Sequence, residues 1–359
     1  MGYAAVKGGL EAVLAAEDLV RRLRVTDESR WLEDDQVGGR LRLAVDRVQG
    51  EGGLWAPRLA AAAIRQAEGD LIEAAQLVRS YRSTLPRLAY TPPVDADEIQ
   101  VARRVVPAYR TPPGPQLLGR TLDYTGRLID FSPEAAQRAA VRSNGTTAAP
   151  AAADPNGDAR QPRRLLHLLR ERDLLVERRE DADPDPFDIT RRPVTVPAPR
   201  SARLAVLALG ETGALVNLWY QGIRGPKAHV HELTLGEVRT GTLPVRVTHP
   251  RTGRPVIVGR VGVTEIEAID DIRDGDPARF DAGYGLVLGH NERKAIAMAA
   301  LDVAIERDRG RSPLEQSVLQ TCDGLDASGF LEHLKLPHYV TFRSMVERKE
   351  AVRAAEAQA

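Results

Sequence analysis

The chain of 359 residues holds one cysteine, Cys322, which excludes an internal disulfide framework and cannot by itself carry an iron–sulfur cluster. A net charge is missing too. Fifty basic side chains balance fifty acidic ones, so nothing overall argues for nucleic acid or an acidic membrane as partner. No apolar run approaches the length needed to span a bilayer. Lys7 and Glu11 would interrupt the apolar core of a secretion signal, and position 6 is Val where a myristoylation signal carries Ser or Thr. There is no nucleophile elbow, no HExxH and no cysteine pair, so hydrolase and zinc-ribbon readings lack support. Neither an internal repeat nor a heptad pattern is present. A reducing cytoplasm fits these absences.

What is present describes an ordinary globular protein, 43% hydrophobic and 28% charged, long enough for a sizeable core and two or so domains. The periodicity predicts an α+β fold. Residues 1–142 read as mainly helical: Val37, Leu41, Ala44, Val45 and Val48 follow helical spacing, and Pro57 suits a first helical turn. Asp70 and Glu73 resemble a capping box for a helix reaching about Arg82. Thr91 to Pro115 should be extended, with a short helix around Asp123 to Ile129. Residues 143–162 are small, polar and proline-bearing, which predicts a flexible loop or linker. Residues 163–199 hold a leucine-rich helix from Leu165 to Val176 and a proline-rich connection. From 200 to 282 the period changes to that of strands, with runs at Leu215–Tyr220, Val245–Thr248, Val256–Val258 and Val261–Ile266. Pro250-Arg251-Thr252-Gly253 should close a hairpin between two of them. Residues 283–359 return to helix.

The stretch His333-Leu334-Lys335-Leu336-Pro337-His338 sets two imidazoles on either side of a proline. Pro337 should stop a helix carrying His333, and the break would let His338 swing back toward it, with Lys335 nearby for an anionic ligand. Two converging imidazoles are half of a zinc-type site. The same spacing also suits a surface helix end whose histidines touch water or core. His229-Val230-His231-Glu232 sets two imidazoles on one side of an extended segment, as either a metal site or an exposed edge strand would.

Gly283 to Gly289 reads as a strand feeding a glycine turn, then a helix from about Asn291 with Glu292, Arg293 and Lys294 in its first turn. A helix start offers free amides to a phosphate, and cations placed there against the dipole hint at an anion. The spacing matches neither a dinucleotide fingerprint nor a P-loop, and tight turns explain the glycines, Gly285 among them, as well. Lys7-Gly8-Gly9 ahead of the first helix repeats the arrangement. Arg79 and Arg82 lie three apart on one helix face, able to clamp phosphates or to form surface ion pairs.

These segments together resemble the PhnI family, the I subunit of the bacterial carbon–phosphorus lyase complex. The resemblance rests on AVKGG at residues 5–9, LAVDRV at 43–48, QAEGDLIEA at 66–74, YRSTL at 81–85 and QLLGRTLDYTGRLIDF at 116–131. It continues with FDIT at 187–190, GYGLVLGHNERKAIAMA at 283–299 and SGFLEHLKLPHYV at 328–340. Residues 132–163 and 225–235 depart from the family pattern, as do His290 and Asn291 within the helix-start motif.

The resemblance implies phosphonate catabolism: displacement of the base of ATP or GTP, as magnesium complexes, by methylphosphonate at C1′ of the ribose, leaving the 5′-triphosphate in place. It implies two copies in a hetero-oligomer with PhnG, PhnH, PhnJ, PhnL and PhnK, the radical iron–sulfur chemistry residing in PhnJ. His333 and His338 match the family's pair that binds a divalent metal, expected to be zinc, where the I and J subunits meet. For the triphosphate, the candidates are Lys7, Gly8, Gly9, Arg79, Arg82, Gly285, Arg293, Lys294 and Lys335. A carboxylate beside the developing ribosyl cation is sought first in Asp46, then in Glu51, Asp123 and Glu292. A salt bridge to a neighbouring arginine would explain each of these acids as well. A scaffold that completes its partners' site is the alternative to an enzyme.

Overall fold

A computed structural model describes residues 9–26, 28–29, 32–123, 127–143, 163–176, 186–224, 233–271, 276–307, 313–335 and 342–358. Helix α1 (Leu10–Thr26) buries no side chain. α2 (Asp34–Arg40), α3 (Arg42–Gly52), α4 (Pro57–Gln66) and α5 (Leu71–Thr84) then form a small bundle. Its core is the expected aliphatic stripe, Val37, Val45 and Val48, packed on Ala61, Ile64 and Val78. Pro57 occupies the first turn of α4, and the Asp70 carboxylate caps α5 by accepting from the amides of Ile72 and Glu73 at 2.9 and 3.2 Å.

The chain continues through β1 (Gln100–Val105), α6 (Glu134–Ser143), α7 (Leu165–Glu171), α8 (Arg200–Leu209) and α9 (Thr212–Arg224). β2 (Leu233–Thr248), β3 (Pro255–Asp270) and β4 (Asp281–Leu288) follow, then α10 (Glu292–Arg307), α11 (Leu314–Thr321), α12 (Gly324–His333) and α13 (Phe342–Glu356). The four strands form one antiparallel sheet in the order β1-β2-β3-β4. The α+β architecture with helical ends is therefore as expected. So is the hairpin turn, where the His249 ring accepts from the amides of Arg251 and Thr252, each at 3.2 Å.

Three expectations need correction. Leu215–Tyr220 is not a strand but the middle of α9, and among the described residues of 200–282 the strands begin only at Leu233. Glu211 accepts from the amides of Gly213 and Ala214 at 2.7 Å each, a helix-starting cap that outweighs the β-branched and aromatic content. The helix at Leu165 ends at Glu171, because Asp173 turns to positive φ and Leu175 pairs with Phe280. Finally, Asp123 lies in a turn and Arg127 to Asp130 are irregular, so the described part of Asp123–Ile129 is not helical. Of the expected linker at 143–162, Ser143 ends α6 and the rest lies outside the described residues.

The two faces of the sheet differ in kind. One carries Val238, Ile266, Ala268 and Val287 against Leu207, Leu215, Met298, Leu301 and Ile305 of α8, α9 and α10. Gly283 and Gly285 let α10 lie directly on β4, since a Cβ at either would fall 2.0 or 2.3 Å from the carbonyl of Ala299 or Ala295. The other face is ionic: Arg104 binds Glu237 at 2.7 Å, Arg239 binds Glu265, and Arg164 reaches Glu265 and Glu267 at 2.8 and 2.6 Å. Burial pushes the Glu267 carboxyl up to about 7, with Arg164 opposing and Glu265 adding to the shift.

At the far end of the hairpin, β3 outruns β4, whose pairing stops at Val263–Leu288. Among the described residues, 255–262 of β3 pair only with β2, and Val256, Ile257 and Val258 are exposed.

Candidate functional site

The site is built where β4 runs out. Gly289 takes φ +73° and its amide donates to the Gly262 carbonyl at 2.8 Å, turning the chain into α10. The Thr264 hydroxyl donates to the Gly289 carbonyl at 2.7 Å and accepts from the Asn291 amide at 3.1 Å. The Asn291 side-chain amide donates to the carbonyls of Asp46 and Leu288 at 2.8 and 2.6 Å, which locks α3 to the start of α10.

That lock sets Asp46, mostly buried, against the turn. Burial raises its carboxyl above the usual range, while His290 and Arg42 oppose the shift. One Arg42 nitrogen donates to His290 Nδ1 at 3.0 Å, which leaves the imidazole proton on Nε2. His290 Nε2 lies 3.6 Å from Glu292, which Arg103 also binds at 2.5 Å, and Arg103 reaches Asp123 at 2.5 Å. Burial pushes the Glu292 carboxyl up, but the hydrogen bonds from His290 and Arg103 win and hold it below its usual value.

In front of these groups opens a cleft of about 760 Å³, reached by the first turn of α10 and the start of α3. Arg40, Arg42, Arg47, Arg120, Arg127, Arg293 and Lys294 line it against two carboxylates, Asp123 and Glu292. Among the described residues, Arg120, Arg127 and Arg293 form no ion pair and are exposed. The free amides at the start of α10 add partial positive charge to the same wall. Such a wall attracts a polyanion.

Its floor is held by buried ions. Lys294 is fully buried, donates to the Gly50 carbonyl at 3.2 Å, and is pushed down to about 8 by burial. Arg47 bridges Glu51 at 2.8 Å and Glu211 at 2.6 Å, and Glu51 also accepts from the Thr212 hydroxyl at 2.6 Å. A second cavity of about 260 Å³ shares Arg42, Arg120 and His290 with the cleft, and is walled by Asp46, Trp55, Gly241, Gly262 and Gly289 among others.

The structure thus brings together Asp46, Asp123, Glu292, Arg293 and Lys294 of the candidates read from sequence, with Glu51 in the floor. Arg79 and Arg82 do not line the cleft. Arg79 binds Asp323 at 2.6 Å and the carbonyls of Glu51 and Leu209, and Arg82 donates to the Gly53 carbonyl at 3.3 Å, so both tie α5 to its neighbours. Gly285 is a packing glycine beneath α10. Gly9 is exposed ahead of α1, while Lys7, Gly8, His229 and His231 lie outside the described residues. Lys335 pairs with Glu332 beyond α12, and His333 ends that helix, but His338 lies outside the described residues. Arg42, Arg103, Arg120 and Trp55 are not among the candidates read from sequence, and His290 stands there only as a departure from the family pattern. Only the Arg42–Asp46 spacing of four on one helix gave a local signal.

Among the described residues no three His, Cys, Asp or Glu side chains cluster to hold a metal, and no helix is long and apolar enough to cross a membrane.

Comparison with known proteins matches residues 2–356 to the family described as bacterial phosphonate metabolism protein (PhnI). The chain is 42% identical to the putative C-P lyase subunit protein HtxH of Stutzerimonas stutzeri, over 97% of this chain and 95% of that protein. It is 40% identical to the alpha-D-ribose 1-methylphosphonate 5-triphosphate synthase subunit PhnI of Escherichia coli, over 96% of each chain. With the protein of that same name from Rhizobium meliloti it shares 37% identity, over 96% of this chain and 93% of the relative.

Proposed function

The chain belongs to the PhnI family of bacterial phosphonate metabolism proteins, a subunit of the carbon–phosphorus lyase pathway, and from that membership we propose that it replaces the base of ATP or GTP with methylphosphonate at C1′. The observation that carries the reading is the cleft itself, where seven cationic side chains and a helix start face two carboxylates, with Asp46 in the smaller cavity beside it.

The triphosphate lies along Arg120, Arg127, Arg293 and the amides of α10, where several cations offset its repulsion. The ribose then reaches Asp46 and Glu292. As the C1′–nitrogen bond lengthens, its electron pair leaves with the base and positive charge grows on C1′ and the ring oxygen. A carboxylate lowers the energy of that cation. The phosphonate oxygen closes a new bond to C1′ from the other side, and the departed base takes one proton from solvent. The nucleophile is already anionic, so the site has to orient it more than to deprotonate it.

The experiment is chromatography of the chain incubated with Mg-ATP or Mg-GTP and methylphosphonate, alone and with PhnG, PhnH and PhnL. Free adenine or guanine from wild-type protein, lost in Asp46→Asn, supports the reading. No base with or without partners refutes it.

A scaffold role is favoured by a separate observation. Neither α1 nor α13 buries a side chain, yet they expose Leu10, Leu14, Leu23, Phe342 and Val352. Surfaces of that kind mark contact with other chains, here PhnJ and PhnK besides the three named above. Turnover only after partners are added would make the site a shared one. His333 and His338 would give such an assembly two zinc ligands, with the rest supplied across the subunit boundary. The setting is the cytoplasm, where nucleoside triphosphates are at hand.

A further inference from the structure

We propose that the smaller cavity is the base slot of this same site and that Trp55 is its stacking wall. The inference rests on the cleft being the triphosphate site. At about 260 Å³ the slot is smaller than the roughly 300–1,000 Å³ of pockets that enclose a whole drug-sized ligand. It holds one ring system, and the 760 Å³ cleft beside it holds the rest.

The slot's walls suit a flat aromatic guest. Gly241, Gly262 and Gly289 leave the sheet end without side chains. The Trp55 indole lies against this bare stretch, for a Cβ at Gly262 would meet its Cη2 at 2.4 Å. An indole offers a broad π-face, and bases stack on such faces whatever their edge pattern. The guanidinium groups of Arg42, Arg103 and Arg120 complete the lining with further planar surfaces.

The shared wall then orders the substrate. Arg42, Arg120 and His290 border both cavities, and Asp46 lines the slot beside them. A guest with its ring in the slot and its polyanionic tail in the cleft has its junction atom at Asp46. In a nucleotide that atom is C1′.

The test is titration calorimetry of the full chain with Mg-ATP, Mg-GTP, Mg-CTP and magnesium tripolyphosphate. Wild-type protein is expected to hold the nucleotides about ten- to a hundredfold tighter than tripolyphosphate, as stacking on one aromatic ring provides. Trp55→Ala should reduce all nucleotides to the tripolyphosphate level and leave tripolyphosphate binding unchanged. A second measurement needs no change at the slot. In a Trp31→Phe, Trp219→Phe chain, whose one remaining indole is Trp55, Mg-GTP should quench the emission and tripolyphosphate should not. If Arg293→Ala weakens every ligand while Trp55→Ala alters none, or the emission ignores Mg-GTP, the slot is refuted and the cleft stands. Tripolyphosphate binding untouched by Arg293→Ala overturns both.

Discussion

Asp46 and Gly289 occupy touching space: a Cβ at residue 289 would lie 2.8 Å from the Asp46 Cβ, and Gly289 sits at φ +73°. The turn that starts α10 and the acid beside the cleft are therefore one mechanical unit. Gly289→Ala should cost on the order of 1–3 kcal/mol of stability, from the disfavoured backbone and the overlap together. Urea denaturation measures it, and nucleotide binding should weaken in parallel as Asp46 is displaced.

Asp46→Asn keeps the shape and removes the charge. The expected result is a fall in kcat of about a hundredfold or more with KM for the nucleotide nearly constant, as for loss of one electrostatic stabiliser. Because burial raises this carboxyl, the acid limb of the wild-type rate profile should lie above the ordinary carboxylate range. An unchanged kcat assigns the role to another acid.

Arg120 and Arg293 are exposed and, among the described residues, form no ion pair. Removing either should leave the fold intact and weaken Mg-ATP by about three- to tenfold, more at low ionic strength. Calorimetry at two salt concentrations checks both parts.

Arg104 and Glu237 are each 2% exposed and 2.7 Å apart. Replacing one partner strands a buried charge, so Arg104→Met or Glu237→Gln alone should cost about 3–5 kcal/mol. The double variant should cost clearly less than the sum. A double-mutant cycle by denaturation reads the coupling directly.

Lys294 is pushed down to about 8 from its ordinary value of 10.5. Between those values the unfolded chain binds more protons than the folded one, so stability should rise with pH across that window. Below pH 8 both states are protonated and the penalty is fully present. Lys294→Met should flatten this slope in a pH series of melting curves.

The legible parts of the fold were those written locally. Val37, Val45 and Val48 declared a helix face, Pro250 to Gly253 a hairpin turn, and Gly289 to Lys294 a strand-to-helix junction, each within a few residues of its cause. Leu215–Tyr220 misled because a short apolar run fits a strand or a buried helix equally, and the decision lay with the Glu211 cap and the packing against α10. The ionic sheet face was unreadable for another reason. Arg239, Glu265 and Glu267 alternate as solvent-facing residues do, and their partners Arg164 and the Ala96 carbonyl arrive from distant segments. In the site, Asp46, Glu292, Arg293 and Lys294 stood in recognisable segments. Arg103 did not, and although Arg120 lies within residues 116–131, its convergence with Arg103 is a property of the fold and not of any motif.

The overhanging tip of the β2–β3 hairpin bears on how much of this protein a cell can tolerate. Among the described residues, 255–260 offer a ribbon with one hydrogen-bonding rim open and greasy side chains outward, the kind of edge on which another chain can pair and aggregate. Copies made beyond what neighbouring subunits can cover should clump or be degraded, so supply of those neighbours, more than the rate of synthesis, would set its standing level.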